Sequence, residues 1–351
     1  MQNERLSALT RAAFLLLAFA LPQHDASAEK SGARHAVDAR WKLGGTGGWD
    51  LLEIDGAARR LYVSHSDRVV VLDADNGKIA GEIPHTDGVH GIAIAPDLGR
   101  GFTSNGKSNS VTVFDLKTLQ PKTEIKIDGR SPDIILYEPN GHRLYVFNGR
   151  SANASVIDAK SLATIGTIAL GGKPEFAVSD GRGRLYVNIE DKNELAVIDA
   201  ATLKVSARWP LQDCDEPTGL AFDAAHHRLF SVCSNEKMVV TDSASGRHVA
   251  SVPIGHGPDG AIFDARRGLI FSPNGADGTL TVVHEDDADH YRVVDTVATQ
   301  KSARTIAFDA KTHRLFLPAA EFGATPAPTP EQPHPRPSIV PDSFTILVVG
   351  S

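Results

Sequence analysis

The sequence predicts an all-β protein, a seven-bladed β-propeller whose last blade is closed by the N-terminal strand. Three observations lead to this fold class. One unit recurs seven times along the chain, each unit contains four strand-like segments in a fixed order, and the last unit lacks a fourth strand that the N-terminus can supply. Repetition at such a period is typical of propellers.

The repeat is seen most clearly in the innermost strand of each unit. These strands begin near Leu51, Ile92, Ile134, Phe176, Leu220, Ala261 and Ile306. Their spacing is about 40 to 45 residues, which suits four short strands per blade. Because the repeats run through the whole chain after the N-terminus, we expect a single domain over residues 38–351.

Within each unit the strands differ in hydrophobicity. An apolar strand such as IAIAP comes first, a strand such as RLYVS or RLYVF second, and an alternating strand such as SVTVFD third. The fourth is more polar, as in KTEIKI, because the outermost strand faces solvent while the inner three are buried between blades. The third strand repeatedly ends in an aspartate that is expected to accept backbone N–H bonds in the following turn, and is therefore structural: Asp73, Asp115, Asp158, Asp199 and Asp242.

Closure of the ring follows from the two chain ends. The last unit supplies RTIAFD, RLFLP and FTILVVGS, which makes only three strands. The segment around Trp41, DARWKLGG, has no inner strand of its own and is similar to the fourth strand of another blade. We therefore expect residues near Asp38 to Leu43 to complete the seventh blade and remove its open edge.

The recurring block GRLYVNIEDKNELAVIDAATLKV resembles the YVTN-repeat, or YncE-like, β-propeller proteins. The resemblance extends from about Trp41 to the C-terminus. It implies the propeller fold and does not imply one activity, because that family is largely of unassigned role and propellers serve many functions.

The first 28 residues have the pattern of a secretory signal peptide. Arg5 and Arg11 precede an apolar run from Ala12 to Leu21. Ala26-Ser27-Ala28 then matches a small-x-small cleavage pattern. The apolar run is too short to span a bilayer, so no transmembrane segment is predicted. We expect a periplasmic or secreted protein, with residues 29–37 as a flexible mature N-terminus.

Composition limits the partners and the cysteine chemistry. The net charge of -7 argues against nucleic acid as a partner, because phosphate backbones attract basic surfaces. The two cysteines, Cys214 and Cys233, are predicted to form a disulfide in an oxidising compartment. We expect a monomer.

Charged residues recur immediately before the innermost strands, where a propeller places them around its central channel. The positions are Asp50, His90, Asp133, Glu175, Thr218, Asp259 and Arg304. A sevenfold arrangement converts equal positions in the repeat into a ring, so these side chains are predicted to form a ligand site at one channel mouth. An ordinary solvated channel lining remains an alternative.

The same ring contains oxygen ligands and one imidazole that suit Ca²⁺, Mg²⁺ or Mn²⁺. The candidate metal ligands are His90, Asp133, Glu175 and Asp259.

Two further features lie on the face of the predicted ring. Asparagines recur between the second and third strands and are expected to adopt a left-handed turn conformation: Asn105, Asn148, Asn188, Asn235 and Asn274. In the seventh blade this loop is replaced by a Pro-rich insertion, residues 322–342, which is predicted to be a lid, a partner-binding arm or a spacer at the rim of the mouth.

The sequence thus favours an exported binding or scaffold protein that recognises a small ligand or a protein partner at the channel mouth. The competing hypothesis is a metal-assisted hydrolase or lactonase that uses the ring carboxylates and His90. The sequence contains no phosphate loop, zinc-type cysteine spacing or nucleophile elbow that would select an enzyme class.

Overall fold

The structure, a computed structural model, describes residues 35–329, 335 and 337–350. The predicted signal peptide, residues 1–28, and residues 29–34 of the expected flexible segment lie outside the described residues. So do residues 330–334 and 336 of the Pro-rich insertion.

The described residues form seven four-stranded antiparallel sheets, which confirms the predicted seven-bladed propeller. Blade 1 consists of β2 (Trp49–Asp55), β3 (Arg60–His65), β4 (Arg68–Asp73) and β5 (Ile79–Ile83). Blade 2 consists of β6 (Val89–Ala95), β7 (Arg100–Asn105), β8 (Ser110–Asp115) and β9 (Pro121–Lys126). Blade 3 consists of β10 (Pro132–Glu138), β11 (Arg143–Asn148), β12 (Asn153–Asp158) and β13 (Thr164–Ala169).

Blades 4 to 6 have the same strand order. Blade 4 consists of β14 (Pro174–Ser179), β15 (Arg184–Ile189), β16 (Glu194–Asp199) and β17 (Lys204–Pro210). Blade 5 consists of β18 (Pro217–Asp223), β19 (Arg228–Cys233), β20 (Lys237–Asp242) and β21 (His248–Pro253). Blade 6 consists of β22 (Ile262–Asp264), β23 (Leu269–Asn274), β24 (Thr279–Asp287) and β25 (His290–Ala298). Three short 3-10 turns complete the regular structure of these six blades: Pro96–Leu98, Gly149–Ser151 and Glu190–Lys192.

The seventh blade joins the two ends of the chain. It consists of β26 (Ala307–Asp309), β27 (Arg314–Ala319), β28 (Thr345–Gly350) and the N-terminal strand β1 (Ala36–Lys42). Strand β1 pairs antiparallel with β28, which confirms the predicted closure. The strand begins two residues earlier than expected, so Ala36 and Val37 belong to the sheet and not to a flexible segment.

The core lies between neighbouring blades rather than at the centre of the ring. Between blades 7 and 1, for example, Leu52 and Val63 pack with Phe316, Phe344 and Ile346 in one buried cluster. Similar clusters lie between each other pair of neighbouring blades. Burying each such side chain contributes about 1.5–3 kcal/mol, so the ring is stabilised mainly by blade-to-blade packing.

The arginine that opens the second strand also links neighbouring blades. Arg100 donates to the carbonyl oxygen of Ala159 in the next blade at 2.9 Å, and Arg228 donates to that of Ala288 at 2.7 Å. Arg60 makes the equivalent contact with Leu116. These contacts satisfy turn carbonyls, which explains why arginine precedes the apolar LYV or LF segment in most units.

The turn aspartates have the predicted structural role. The carboxylate of Asp115, for instance, accepts hydrogen bonds from the backbone N–H groups of Lys117 and Thr118 at 3.0 and 2.8 Å. Asp158 does the same for Lys160 and Ser161.

The expectation for the recurring asparagines was wrong. Asn105, Asn148 and Asn274 end their second strands in a buried position, and their side-chain amides donate to hydroxyl groups of the third strand. The left-handed conformation is adopted a few residues later, for example at Asn109 with a φ of 49°. These asparagines satisfy polar groups in the sheet instead of shaping the turn.

Candidate functional site

The ring residues are positioned by the start of the innermost strands. Asp50, His90, Asp133, Glu175 and Thr218 are each the second residue of such a strand. In blades 6 and 7 the inner strand begins later, at Ile262 and Ala307. The equivalent residues, Asp259 and Arg304, therefore lie in the loop just before the strand. Strand pairing therefore fixes the backbone of most of the ring.

Five of the predicted residues form a connected polar network. His90 Nδ1 lies 2.6 Å from Asp50 Oδ2 and 3.6 Å from Asp133 Oδ1. Arg304 lies between two carboxylates, with Nε 2.7 Å from Asp259 Oδ2 and a terminal nitrogen 3.6 Å from Asp50 Oδ1. The network crosses blades 3, 2, 1, 7 and 6, so residues far apart in sequence meet at one channel mouth.

The two remaining positions are engaged differently. Glu175 pairs with Lys173, whose Nζ lies 2.8 Å from Glu175 Oε1 and also contacts Glu190. The hydroxyl of Thr218 donates to the carbonyl oxygen of Pro258 at 3.1 Å, so it ties blade 5 to blade 6. Lys173 was not predicted as a site residue, although its position two residues before Glu175 could have indicated that the two side chains pair.

Burial and like charge raise the pKa values of three ring carboxyls, those of Asp133, Asp259 and Glu175. Burial raises the pKa of Asp133 to about 6, and the nearby carboxylate of Asp50 adds to the shift. Burial also raises the pKa of Asp259 to about 7, although the neighbouring Arg304 opposes it. For Glu175, burial and Asp133 raise the pKa to about 9 against the effect of Lys173.

The pKa of the His90 imidazole is also raised, although burial acts on it in the opposite direction. Burial lowers its pKa, but the hydrogen bond to Asp50 and the charges of Asp133 and Asp50 outweigh burial and raise the pKa above its ordinary value. The mouth therefore combines a readily protonated imidazole with carboxyl groups that hold protons unusually well, which is common at functional sites.

Next to this network a cavity of about 570 Å³ opens between blades 1, 2 and 3. Its lining includes two partly buried residues, Asp50 and His90, which we call the acidic side of the mouth cavity. It also includes three exposed residues, Lys107, Arg130 and Arg150, which we call the basic side. The basic side was not predicted, because its residues occupy loops whose direction the repeat pattern does not specify.

Trp49 is among the residues that line the same cavity, and its side chain is buried in the cluster between blades 7 and 1. Its ring stacks on Phe344 with centroids 5.1 Å apart, and Phe322 lies 5.9 Å away. Phe322 begins the Pro-rich insertion, whose two ends pair through a backbone bond from Gly323 to Ser338. The described base of the insertion is thus anchored beside the mouth cavity.

Cys214 and Cys233 are bonded to each other, with the sulfur atoms 2.01 Å apart. Cys214 lies in the loop before β18, and Cys233 ends β19, where it pairs with Pro217. Both are buried. The bond fixes the loop that leads into the fifth inner strand.

A second group of acidic and imidazole side chains lies away from the ring. This group lies where the hairpin that follows β18 meets the end of β24, and it consists of Asp223, His226 and Glu285. One potential metal-ligand atom of each residue lies within 4.8 Å of the other two. His226 Nδ1 is 2.8 Å from Asp223 and 3.4 Å from Glu285, so the imidazole bridges two buried carboxylates. These contacts join blades 5 and 6.

Comparison with known proteins gives similarity over part of the chain. The chain is 24% identical over 229 residues to a protein called "Uncharacterized protein YncE" from Salmonella typhimurium, a match that covers 61% of this chain and 64% of that protein. It is 28% identical over 191 residues to "Antigen Lp49" of Leptospira interrogans, covering 48% of this chain and 41% of that antigen. The chain thus spans less than two thirds of the length of these relatives. No family model matches the chain.

Solved structures support the fold. A chain of the Kuenenia stuttgartiensis hydrazine synthase structure matches with a TM-score of 0.70 and 18% identity, covering 78% of this chain and 92% of that one. A chain of the mitotic checkpoint complex matches with a TM-score of 0.71 and 15% identity, covering 87% and 95%. At these identities the likeness shows the propeller fold alone.

Within the described part of the chain, no helix is long and apolar enough to cross a membrane.

Proposed function

We propose that this protein is an exported β-propeller that binds a small ligand at the channel mouth. The observation that carries the proposal is the polar network of Asp50, His90, Asp133, Asp259 and Arg304, which adjoins a cavity of about 570 Å³. Ligand sites typically combine a cavity of this size with a few convergent polar groups.

The network supports binding because its charged groups are held in place before any ligand arrives. Asp50 is oriented by both His90 and Arg304, and its backbone N–H donates to the Ser64 hydroxyl at 2.9 Å. Preorganised groups lose little conformational freedom on binding, which favours affinity. We place the protein with the YncE-like propellers on the partial similarity to YncE and on the repeated RLYV block.

Export is inferred from the N-terminal sequence and is consistent with the disulfide between Cys214 and Cys233. Expression of the complete chain in a bacterial host should yield periplasmic protein whose intact mass corresponds to a start at Glu29. Recovery of the uncleaved chain from the cytoplasm would contradict export.

The binding role is tested by comparing small molecules released from purified wild type and from the double variant Asp133→Asn/Asp259→Asn. Mass spectrometry should detect a small molecule that is released from wild type and is absent from the double variant. The variant Asp287→Asn, in an exposed hairpin of blade 6, is the control and should release the same molecule as wild type. Identical release from all three proteins would contradict ligand binding at the mouth.

A metal-assisted hydrolase is the second candidate, and one observation favours it. Ligand atoms of Asp50, His90 and Asp133 all lie within 4.8 Å of one another, and two carboxylates with one imidazole fit Mn²⁺, Mg²⁺ or Ca²⁺. A divalent cation held there would polarise a substrate carbonyl. The set differs from the one that the sequence suggested, since Glu175 is paired with Lys173 and Asp259 with Arg304.

The charge around this triad works against a cation. The pKa of His90 is raised above its ordinary value, which disfavours the unprotonated imidazole that a metal ion needs, and the Arg304 guanidinium already lies 3.6 Å from Asp50. Metal analysis of protein purified without chelator, with thermal shifts against Ca²⁺, Mg²⁺, Mn²⁺ and Zn²⁺, separates the two candidates. One equivalent of metal that is lost in His90→Gln favours the hydrolase, and neither metal nor shift favours the binding protein.

A further inference from the structure

We propose that the mouth cavity binds a small organic acid with two or more carboxylate groups, and that Arg130, Arg150 and Lys107 supply the positive charge that recognises it. This inference rests on the proposed function and specifies the chemical class of the ligand. It is carried by the charges of the residues that line the cavity, which are mostly positive and mostly uncompensated.

The negative charge of the lining is already engaged inside the ring. Among the lining residues that the structure describes, Asp50 is the one carboxylate. His90 Nδ1 lies 2.6 Å from its Oδ2, and a terminal nitrogen of Arg304 lies 3.6 Å from its Oδ1. Because Asp50 is compensated by these two groups, the charge that the cavity offers to a ligand comes mainly from the basic side.

The basic side is far less compensated. In the described part of the chain, no carboxylate lies within ion-pair distance of the guanidinium group of Arg130 or of Arg150. Lys107 is 3.9 Å from Asp87, and both of these side chains are largely exposed, so this pair is weak. The whole chain has a net charge of -7, so three cations around one cavity run against its overall charge.

Backbone bonds hold the two arginines next to each other. Arg130 lies in the loop before β10, and Arg150 lies in the 3-10 turn after β11. The N–H of Arg150 donates to the carbonyl oxygen of Arg130 at 3.2 Å, and the N–H of Arg130 donates to the Ser151 hydroxyl at 2.9 Å. Guanidinium groups form strong paired hydrogen bonds with carboxylates, so two neighbouring arginines in the lining suit an acidic ligand.

Asn109 adds a neutral donor to the same lining. Its Oδ1 accepts a hydrogen bond from the backbone N–H of Ser131 at 2.9 Å, which links the loops of blades 2 and 3 and leaves Nδ2 as the donor end of the amide. Among the described residues, this Nδ2 has no hydrogen-bond acceptor. A carboxylate only accepts hydrogen bonds, so it matches the donors of this lining: Asn109, Arg130, Arg150 and Lys107.

The positions of the three cations favour more than one carboxylate. Arg130 and Arg150 belong to blade 3, whereas Lys107 lies between β7 and β8 of blade 2. A single carboxylate at the arginines would leave Lys107 without a ligand group. A second carboxylate adds a further charge-assisted hydrogen bond, which is the stronger kind in proteins.

Gly48 leaves room beside these groups. It lines the cavity, and a Cβ atom at this position would meet nothing within 4 Å apart from its chain neighbours. A longer side chain at position 48 would therefore extend into free space and not into the packed protein. This position allows the shape of the cavity to be changed without changing its charge.

The ligand class is tested by isothermal titration calorimetry of the purified protein with succinate, succinamate and succinamide. These probes have the same carbon chain and carry two, one and no carboxylates. We expect succinate to bind and each replaced carboxylate to weaken binding about tenfold, because each removes a charge-assisted contact. No binding of succinate, equal binding of succinate and succinamide, or tighter binding of inorganic phosphate than of succinate overturns the proposal.

Substitution of the arginines locates the contact. Arg130→Gln/Arg150→Gln should weaken succinate about tenfold or more. The control Arg182→Gln/Arg184→Gln removes the same number of charges from the exposed hairpin between β14 and β15 and should match wild type. Unaltered melting temperatures show that both variants fold, and equal weakening in the two variants overturns the assignment to the basic side.

A change of shape separates binding in the cavity from general attraction to a charged surface. Gly48→Leu should weaken succinate about tenfold, because the new side chain occupies space in the cavity while every charge is kept. A surface that attracts succinate through charge alone would bind it equally in this variant. Unchanged affinity in Gly48→Leu therefore overturns binding inside the cavity.

The two proposals fail separately. The ring carboxylates serve an acidic ligand indirectly, because Asp133 lies 3.6 Å from His90 and Asp259 lies 2.7 Å from Arg304, and they hold these two cations in place. If Asp133→Asn/Asp259→Asn loses a released small molecule while succinate does not bind to wild type, the ligand class is wrong and binding at the mouth stands. If no molecule is released from wild type and succinate does not bind, both are wrong.

Discussion

The Nδ1 atom of His90 lies 2.6 Å from Oδ2 of Asp50, so an imidazole of blade 2 is held by a carboxylate of blade 1. The two residues are 40 positions apart in sequence and occupy the same place in successive repeats. The pKa of His90 therefore depends on how blades 1 and 2 are placed next to each other in the ring.

Replacing Asp50 by asparagine should lower the pKa of His90, because the variant loses a charged acceptor at hydrogen-bond distance. In wild type the raised pKa means that the folded protein binds the proton more tightly than the unfolded chain. The resulting stability is present below the unfolded pKa of about 6.5 and is lost as pH rises through the folded pKa. NMR titration of the His90 ring, assigned with His90→Gln, measures the shift. An unchanged pKa in Asp50→Asn would show that the contact does not control the imidazole.

Asp133→Asn should increase the free energy of unfolding at pH 8 and have less effect at pH 5. Burial raises the pKa of Asp133 to about 6, so the folded state loses stability as pH rises from about 4, where the unfolded carboxyl ionises, through about 6. Asparagine removes this penalty, and we expect a gain of about 1 kcal/mol at pH 8. Urea unfolding at the two pH values measures it. A loss of stability at pH 8 would show that the ionised carboxylate is well compensated.

Removing the disulfide by Cys214→Ser/Cys233→Ser should lower the free energy of unfolding by roughly 3 kcal/mol, since the bond closes a loop in the unfolded chain. The sequence separation of the two cysteines is 19. The denatured, unreduced wild type should contain no titratable thiol. Two free thiols in exported protein would contradict the bond, and added reductant should leave the double variant unaffected.

Trp41→Ala should destabilise the protein by about 2 kcal/mol, because Trp41 closes the ring through packing. Its ring lies 5.5 Å from Phe316 and covers Gly77 of blade 1, where a Cβ atom would come within 2.2 Å of the indole. Urea unfolding should show the loss. The neighbouring Arg40→Ala, at an exposed position of the same strand, should change stability by less than about 0.5 kcal/mol. Equal effects would mean that the indole does not secure the closure.

The fold could be predicted because its signals are local and repeated. Each blade has the same order of apolar and polar strands, so a wrong strand assignment in one unit is revealed by comparison with the other units. The same reasoning failed for Asn105, Asn148 and Asn274, because asparagine is favoured in left-handed turns and is also a good hydrogen-bond partner for buried hydroxyl groups. Sequence preference alone does not distinguish the two roles.

The candidate site was predictable only in part. Equal repeat positions identified Asp50, His90, Asp133, Asp259 and Arg304, since a closed ring brings them to one mouth. Their pairing was not predictable, because it depends on which side chains reach across a blade boundary. The arginine pair of the basic side was missed for a related reason, since the repeat pattern does not specify which way loop side chains project.

The sequence by itself determined the number of blades, the order of their strands and the closure by the N-terminal strand, because hydrophobic periodicity and repeat spacing are properties of the linear chain. Only the tertiary structure decided that Arg304 lies between Asp50 and Asp259, and that Glu175 is taken up by Lys173. It also placed Arg130 and Arg150 in the lining of the cavity that Asp50 and His90 line. These contacts depend on distances between side chains of different blades, and those distances exist only once the ring has closed.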